Sequence, residues 1–134
     1  MTKSQALVVL ISASMRYHEV LAPVVEQLRA LGCHVEMPEQ DLGGLTKADL
    51  MARHLGKLRR SDVLLLGNIA GYVGASTFFE AGWATALGKP VFALEALDGQ
   101  SEFTEDLRAA GVIELNGDIE KMVTGDCKSD GTAL

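Results

Sequence analysis

The chain has 134 residues, 48% hydrophobic and 22% charged, which fits one globular domain with a core of its own. A formal charge of −6 argues against nucleic-acid polymers and anionic membranes as partners, because both are bound through a surplus of Lys and Arg. A single small phosphate stays open, since one local site is enough for it.

The first apolar run, residues 6–11, is too short for a signal segment and lacks a cleavage site, and no stretch approaches the length of a bilayer span. Cys33 and Cys127 are far apart and the second lies in a polar tail. No structural disulfide is expected, and the cytoplasm is the expected compartment.

Residues 6–11 are continuous, branched and apolar, which predicts a buried central strand. A polar loop, residues 12–17, follows at its carboxyl end. Leu21, Val24, Val25, Leu28 and Leu31 recur at helical spacing, with Pro23 expected in the first turn and Gly32 at the helix end. Residues 33–37 alternate and read as a strand nearer the sheet edge. After a loop over 38–44, Thr46 begins a second helix. Leu50, His54, Leu55 and Leu58 lie on one side of it, with Lys47, Arg53, Lys57 and Arg60 largely elsewhere.

Residues 63–66 predict a third buried strand and 91–94 a fourth. Between them lie a loop with Gly71 and Gly74, then a helix over 77–87 that ends at Gly88 with Pro90 just beyond. Residues 95–99 read as a loop. Ser101 is a good N-cap for a helix through Ala110, closed by Gly111. Residues 112–115 make a short last strand and 118–123 a final helical turn or two. The single domain spans residues 1–123, and residues 124–134 form a flexible tail.

Strands alternating with helices predict an α/β domain: a three-layer, Rossmann-like (flavodoxin-like) fold with a five-stranded parallel sheet in the order 2-1-3-4-5. Its switch point lies between the first and third strands. The loops over 12–17 and 68–76 should then face each other across one crevice.

Glu80 carries two competing readings. Thr77-Phe-Phe-Glu80 fits a capping box, in which the carboxylate reaches back to the cap residue. A carboxylate beside a glycine-bearing loop at a strand end also fits a nucleophile. His54 lies on an apolar stripe, where a packed core histidine is the commoner outcome and proton transfer the functional one. Arg16, with Ser12 and Ser14, is either a solvated surface group or an anion clamp. No metal-ligand spacing is present, and no metal or cofactor is expected. The helix over 77–87 is apolar nearly all round, which predicts burial against a second subunit.

Ser61-Asp62, the strand 63–66, Asn68, Gly71-Tyr-Val-Gly-Ala-Ser-Thr77, Glu80-Ala-Gly-Trp-Ala84 and Leu87-Gly-Lys-Pro-Val91 together resemble the nucleoside 2-deoxyribosyltransferase family, whose superfamily includes the 2′-deoxynucleoside 5′-phosphate N-hydrolases. The outline covers roughly residues 6–115. The resemblance implies a Rossmann-like oligomer in which Glu80 attacks the anomeric carbon. His54 stands where the N-hydrolase branch has an active-site aspartate, and Ser14-Met-Arg16 is similar to that branch's Ser-x-Arg phosphate contact.

Gly74 replaces the aspartate that transferases carry six residues before the glutamate, Asn68 stands where transferases use another carboxylate, and the first loop lacks the family's usual glycine. These departures point away from base transfer and leave hydrolysis, or binding without catalysis, open. The expected site therefore has Glu80 and His54 as catalytic groups. Ser12, Ser14, Arg16, Asn68, Gly71, Tyr72, Gly74, Ser76 and Thr77 are expected to hold a small nucleoside or nucleotide. The alternatives are a non-catalytic nucleotide-binding module and a cytokinin-activating-type phosphoribohydrolase, whose glycine signature overlaps Gly74 to Glu80.

Overall fold

The computed structural model describes residues 6–38, 43–97 and 102–125. Its branched apolar runs become β1 (Val8–Ser12), β2 (His34–Glu36), β3 (Val63–Leu66), β4 (Val91–Ala93) and β5 (Ile113–Glu114). They form one sheet in the order β2-β1-β3-β4-β5, with every neighbouring pair parallel.

β3 and β4 are buried throughout because helices cover both faces of the sheet. α1 (His18–Ala30) packs Leu21, Val25 and Leu28 against Val9, Ile11, Val63 and Leu65, and α5 (Glu120–Thr124) adds Met122 to that layer. On the opposite face α2 (Lys47–Arg60), α3 (Ala75–Ala86) and α4 (Glu102–Ala109) bring Leu58, Ala81, Ala84 and Leu107 onto Leu10, Leu64 and Leu66. β2 sits at the edge, and its alternation buries Val35 between exposed His34 and half-buried Glu36. Cys33 is a buried free thiol, and burial pushes it above its ordinary pKa.

Local chemistry sets the helix ends. Gly32, at φ +91°, turns the chain out of α1, so that its N–H bonds to Arg29 and that of Cys33 to Leu28. Gly88 closes α3 by the same pair of bonds, to Thr85 and Ala84. α2 opens on a full capping box: Asp49 N–H donates to Thr46 Oγ1, and Thr46 N–H donates to Asp49 Oδ2.

Several strand ends shift by one or two residues from the sequence reading, and three boundaries that bear on the site differ. Ser12 is the last residue of β1 rather than the first of a loop, and residues 15–17 coil as a 3-10 turn. That turn runs into α1, which therefore starts at His18 and leaves Pro23 in the second turn. Without an N–H on Pro23, the carbonyl of Glu19 lacks its helical donor, which an exposed site tolerates. α3 starts at Ala75, two residues before the predicted Thr77, because Ala75 and Ser76 accept helical geometry and Phe78 N–H already bonds to Gly74. Ser101, Cys127 and nearly all of the predicted tail lie outside the described residues, as do 39–42 of the loop after β2 and 98–99 of the loop after β4. Among the described residues no helix is long and apolar enough to cross a membrane.

Candidate functional site

The early start of α3 decides what Glu80 does. With Gly74 as an extended N-cap that makes no side-chain cap, Thr77 is the third residue of the helix and Glu80 stands in its second turn. The capping-box reading of Thr77 and Glu80 is therefore overturned. The carboxylate points instead across the sheet end, where Ser12 Oγ donates a short hydrogen bond to Glu80 Oε1. Thr77, three residues before Glu80 and on the same helix face, places its Oγ1 3.3 Å from Ser12 Oγ.

α2 supplies the third component. His54 and Glu80 are each only 7% exposed, and His54 Nε2 stands 3.1 Å from Glu80 Oε1. The ring N–H is not directed at that oxygen, so Nε2 is buried without a hydrogen bond. Ser12, His54, Thr77 and Glu80 form the floor of an open cleft of about 240 Å³. Ser14 and Met15 wall it on the β1 side, Ser76 on the α3 side, and Lys47, Leu50, Met51 and Lys57 on the α2 side. A second hollow of about 220 Å³ adjoins it, sharing Ala13, Ser14, Ser76 and Thr77 and extending to Tyr72 and Gly74.

The loops after β1 and β3 do face each other, as the switch-point argument requires. The Arg16 guanidinium lies 4.9 Å from the Tyr17 ring centroid and 4.5 Å from that of Tyr72, bridging the two loops. Arg16 is exposed and lines neither hollow.

Two further expected ligand residues, like Arg16, line neither hollow. Asn68 is 1% exposed; its Nδ2 donates to the Glu95 carbonyl and its Oδ1 accepts from Glu95 N–H, at 3.0 and 2.8 Å. It clasps the loop after β3 to the end of β4, and each of its polar atoms is engaged in doing so. Gly71 belongs to the turn Ile69–Gly71 and lines neither hollow. In that turn Ala70 is held at φ +56°, with its N–H on Glu95 Oε1 at 3.0 Å.

Lys47 and Lys57 line the cleft, although the helical stripe reading put them largely elsewhere. The signal was present: 47, 50, 54 and 57 are spaced three or four apart, which is one helix face. Lys57 Nζ donates to the Met37 carbonyl at 2.8 Å, tying α2 to the end of β2. Among the described residues no group of His, Cys, Asp and Glu side chains could hold a metal ion. The chemistry at hand is a buried carboxylate flanked by a hydroxyl donor and an imidazole, which suits a nucleophile or a general base.

No known family model and no curated protein matches the sequence. A solved structure, that of a conserved protein from Enterococcus faecalis V583, matches with a TM-score of 0.59 at 20% identity. The match covers 80% of this chain and 74% of that one. At that identity the likeness establishes the α/β fold alone.

Proposed function

We propose that this chain is an N-glycosidase of the nucleoside 2-deoxyribosyltransferase-like kind, cleaving the base–sugar bond of a nucleoside or nucleoside 5′-monophosphate through Glu80. The observation that carries this reading is the position of Glu80. It is a nearly buried carboxylate at the floor of an open cleft, not spent on capping its own helix.

The Ser12 and His54 contacts both fall on Oε1, so Oε2 is the oxygen assigned to attack. It forms a bond to the anomeric carbon as the carbon–nitrogen bond breaks. The bonding pair leaves with the base nitrogen, which takes a proton from His54 in its protonated form. Water then adds to the anomeric carbon and gives one proton back to His54. The ester opens, and Glu80 returns as a carboxylate with free base and sugar as products. Retaining glycosidases set the two groups about 5–5.5 Å apart, so His54 and Glu80 must part by about 2 Å to admit the anomeric carbon. Ser14, Ser76, Thr77 and the Gly74 backbone would hold the sugar, and Arg16 the 5′-phosphate.

The closed His54–Glu80 contact also favours a second reading, a nucleotide-binding module without turnover. Incubating the protein with a panel of nucleosides and 5′-monophosphates and looking for free base separates the two. Base release supports the glycosidase; tight binding without release supports the module.

The expected homodimer belongs to this reading. Phe79 and Leu87 on α3 are 51% and 44% exposed, and the Phe79 ring lies 4.8 Å from that of Trp83. Such apolar surface fits burial by a second copy. Sedimentation showing a monomer at micromolar concentration would count against it.

A further inference from the structure

The α2 wall of the cleft has a chemistry that the proposed reaction does not use. It combines apolar side chains, Leu50 and Met51, and two cations, Lys47 and Lys57, and Pro38 also lines the cleft. Among the described residues Glu80 is the one carboxylate lining this cleft, and the two lysines give the α2 side a local positive charge in a chain of net charge −6. Between the two lysines sits His54, whose buried Nε2 lacks a hydrogen-bond partner. That nitrogen lies against Glu80 Oε1, and once the two side chains part a ligand atom can complete it.

Direction follows from the displacement geometry. Attack on the anomeric carbon comes from the side opposite the departing group, and the nucleophile is on α3. The proposed proton donor, His54, is on α2, and the departing group is assigned to that side. Leu50 and Met51 offer a flat ring apolar contact, and methionine adapts well to an aromatic partner. A neutral ring needs no ammonium groups beside it, whereas an anionic substituent does. Lys57 gives one of its three donors to Met37, and two stay available.

We infer that the α2 wall is a leaving-group subsite for a planar heteroaromatic ring bearing a carboxylate, with Lys47 and Lys57 receiving the carboxylate and His54 Nε2 meeting the ring. This specificity rests on the glycosidase reading for its direction, but its binding test does not require turnover.

Nicotinate and nicotinamide ribose 5′-monophosphates make a matched pair, differing by a carboxylate in place of an isosteric amide. Their affinities for the full-length Glu80→Gln variant, measured by calorimetry at low and at physiological salt, test the subsite without consuming the probe. The carboxylate should bind roughly tenfold more tightly at low salt, as expected for one charge-assisted contact, and the margin should shrink as salt rises. Lys47→Met should abolish most of the preference. Lys57→Met should do the same, while Lys57→Arg should keep it, which separates loss of charge from loss of the Met37 tether. Equal affinities for the two probes, or no binding of the carboxylated one, overturns the subsite. Base release by the native protein from any nucleotide is scored separately, so the glycosidase reading can stand or fall independently.

Discussion

His54 Nε2 and Glu80 Oε1 are 3.1 Å apart and buried together, yet no hydrogen bond joins them. A buried polar group without a partner costs about 1–3 kcal/mol, so the arrangement is one that a ligand atom can relieve. The imidazole is held by its place on α2 rather than by the carboxylate. That leaves the contact free to open when a sugar enters, and opening it is what the proposed displacement requires.

The first prediction follows from that pair. His54→Asn should slow base release from a natural nucleotide by about 10²–10⁴-fold, the scale of general acid catalysis. A substrate whose leaving group departs without protonation should be affected far less. Equal losses on both substrates would remove His54 from the role of proton donor.

Asn68 should matter for stability rather than for chemistry. Asn68→Ala deletes both bonds to the Glu95 backbone and leaves buried groups unpaired, at a cost of about 2–3 kcal/mol. Urea denaturation measures it. Asn68→Asp keeps the acceptor for Glu95 N–H but sets a buried carboxylate oxygen against the Glu95 carbonyl, so it should cost at least as much. A variant as stable as the native chain but unable to bind substrate would restore Asn68 to the ligand set.

The cap of α2 gives a pH-dependent outcome. The Thr46 backbone N–H, and then its hydroxyl, hold the Asp49 carboxyl below its ordinary pKa. A folded value below the unfolded one stabilises the protein above the unfolded carboxylate range, and the gain is lost as pH falls through the folded value. Asp49→Asn should therefore melt lower than the native chain at neutral pH, and the two curves should converge in the acid range. Thr46→Ala should cost about 1 kcal/mol, as other N-cap truncations do. Parallel melting curves down to low pH would contradict the charge-assisted cap.

Much of this fold was legible because it is written in local chemistry. The run Val63–Leu66 is apolar at every position, which suits a strand covered on both faces, and its bounds match the sequence reading. Gly32, Gly88 and Gly111 each take a left-handed φ just past a helix, where glycine meets no steric penalty. The site was less legible because its partners are distant in sequence. Ser12 and Glu80 are 68 residues apart, so the local Thr77–Glu80 pattern looked complete on its own. Asn68 read as a ligand because its real partner, Glu95, lies 27 residues on. Lys47 and Lys57 escaped because only apolar residues were counted on the α2 face that also carries His54.

Arg16 lies against two tyrosine rings, of which Tyr72 lines the second hollow, and its role separates by substrate. Arg16→Ala should weaken a monophosphate by about 1.5–3 kcal/mol and the matching nucleoside far less. Arg16→Lys should recover part of the loss, since an ammonium supplies charge without the planar fork that stacks on the rings. Equal losses on both substrates would make Arg16 a brace between the loops and not a phosphate ligand.

Glu80→Gln tests the proposed chemistry most directly. Because Glu80 does not cap α3, the substitution removes no helix-end bond, and the amide oxygen can still accept from Ser12. Packing is conserved as well, since the two side chains are nearly the same size. Stability should stay within about 1 kcal/mol of the native chain, as for a substitution that creates neither cavity nor strain. The amide nevertheless cannot displace a base from the anomeric carbon. Turnover should fall by roughly 10⁴-fold or more, the scale on which removal of a nucleophile acts. Substrate should still bind, because Ser14, Ser76 and the lysines of α2 are untouched. Melting temperature, base release and affinity measured on this one variant decide the matter. A sugar adduct trapped on Glu80 of the native protein would establish the covalent step, and undiminished base release by Glu80→Gln would end the mechanism.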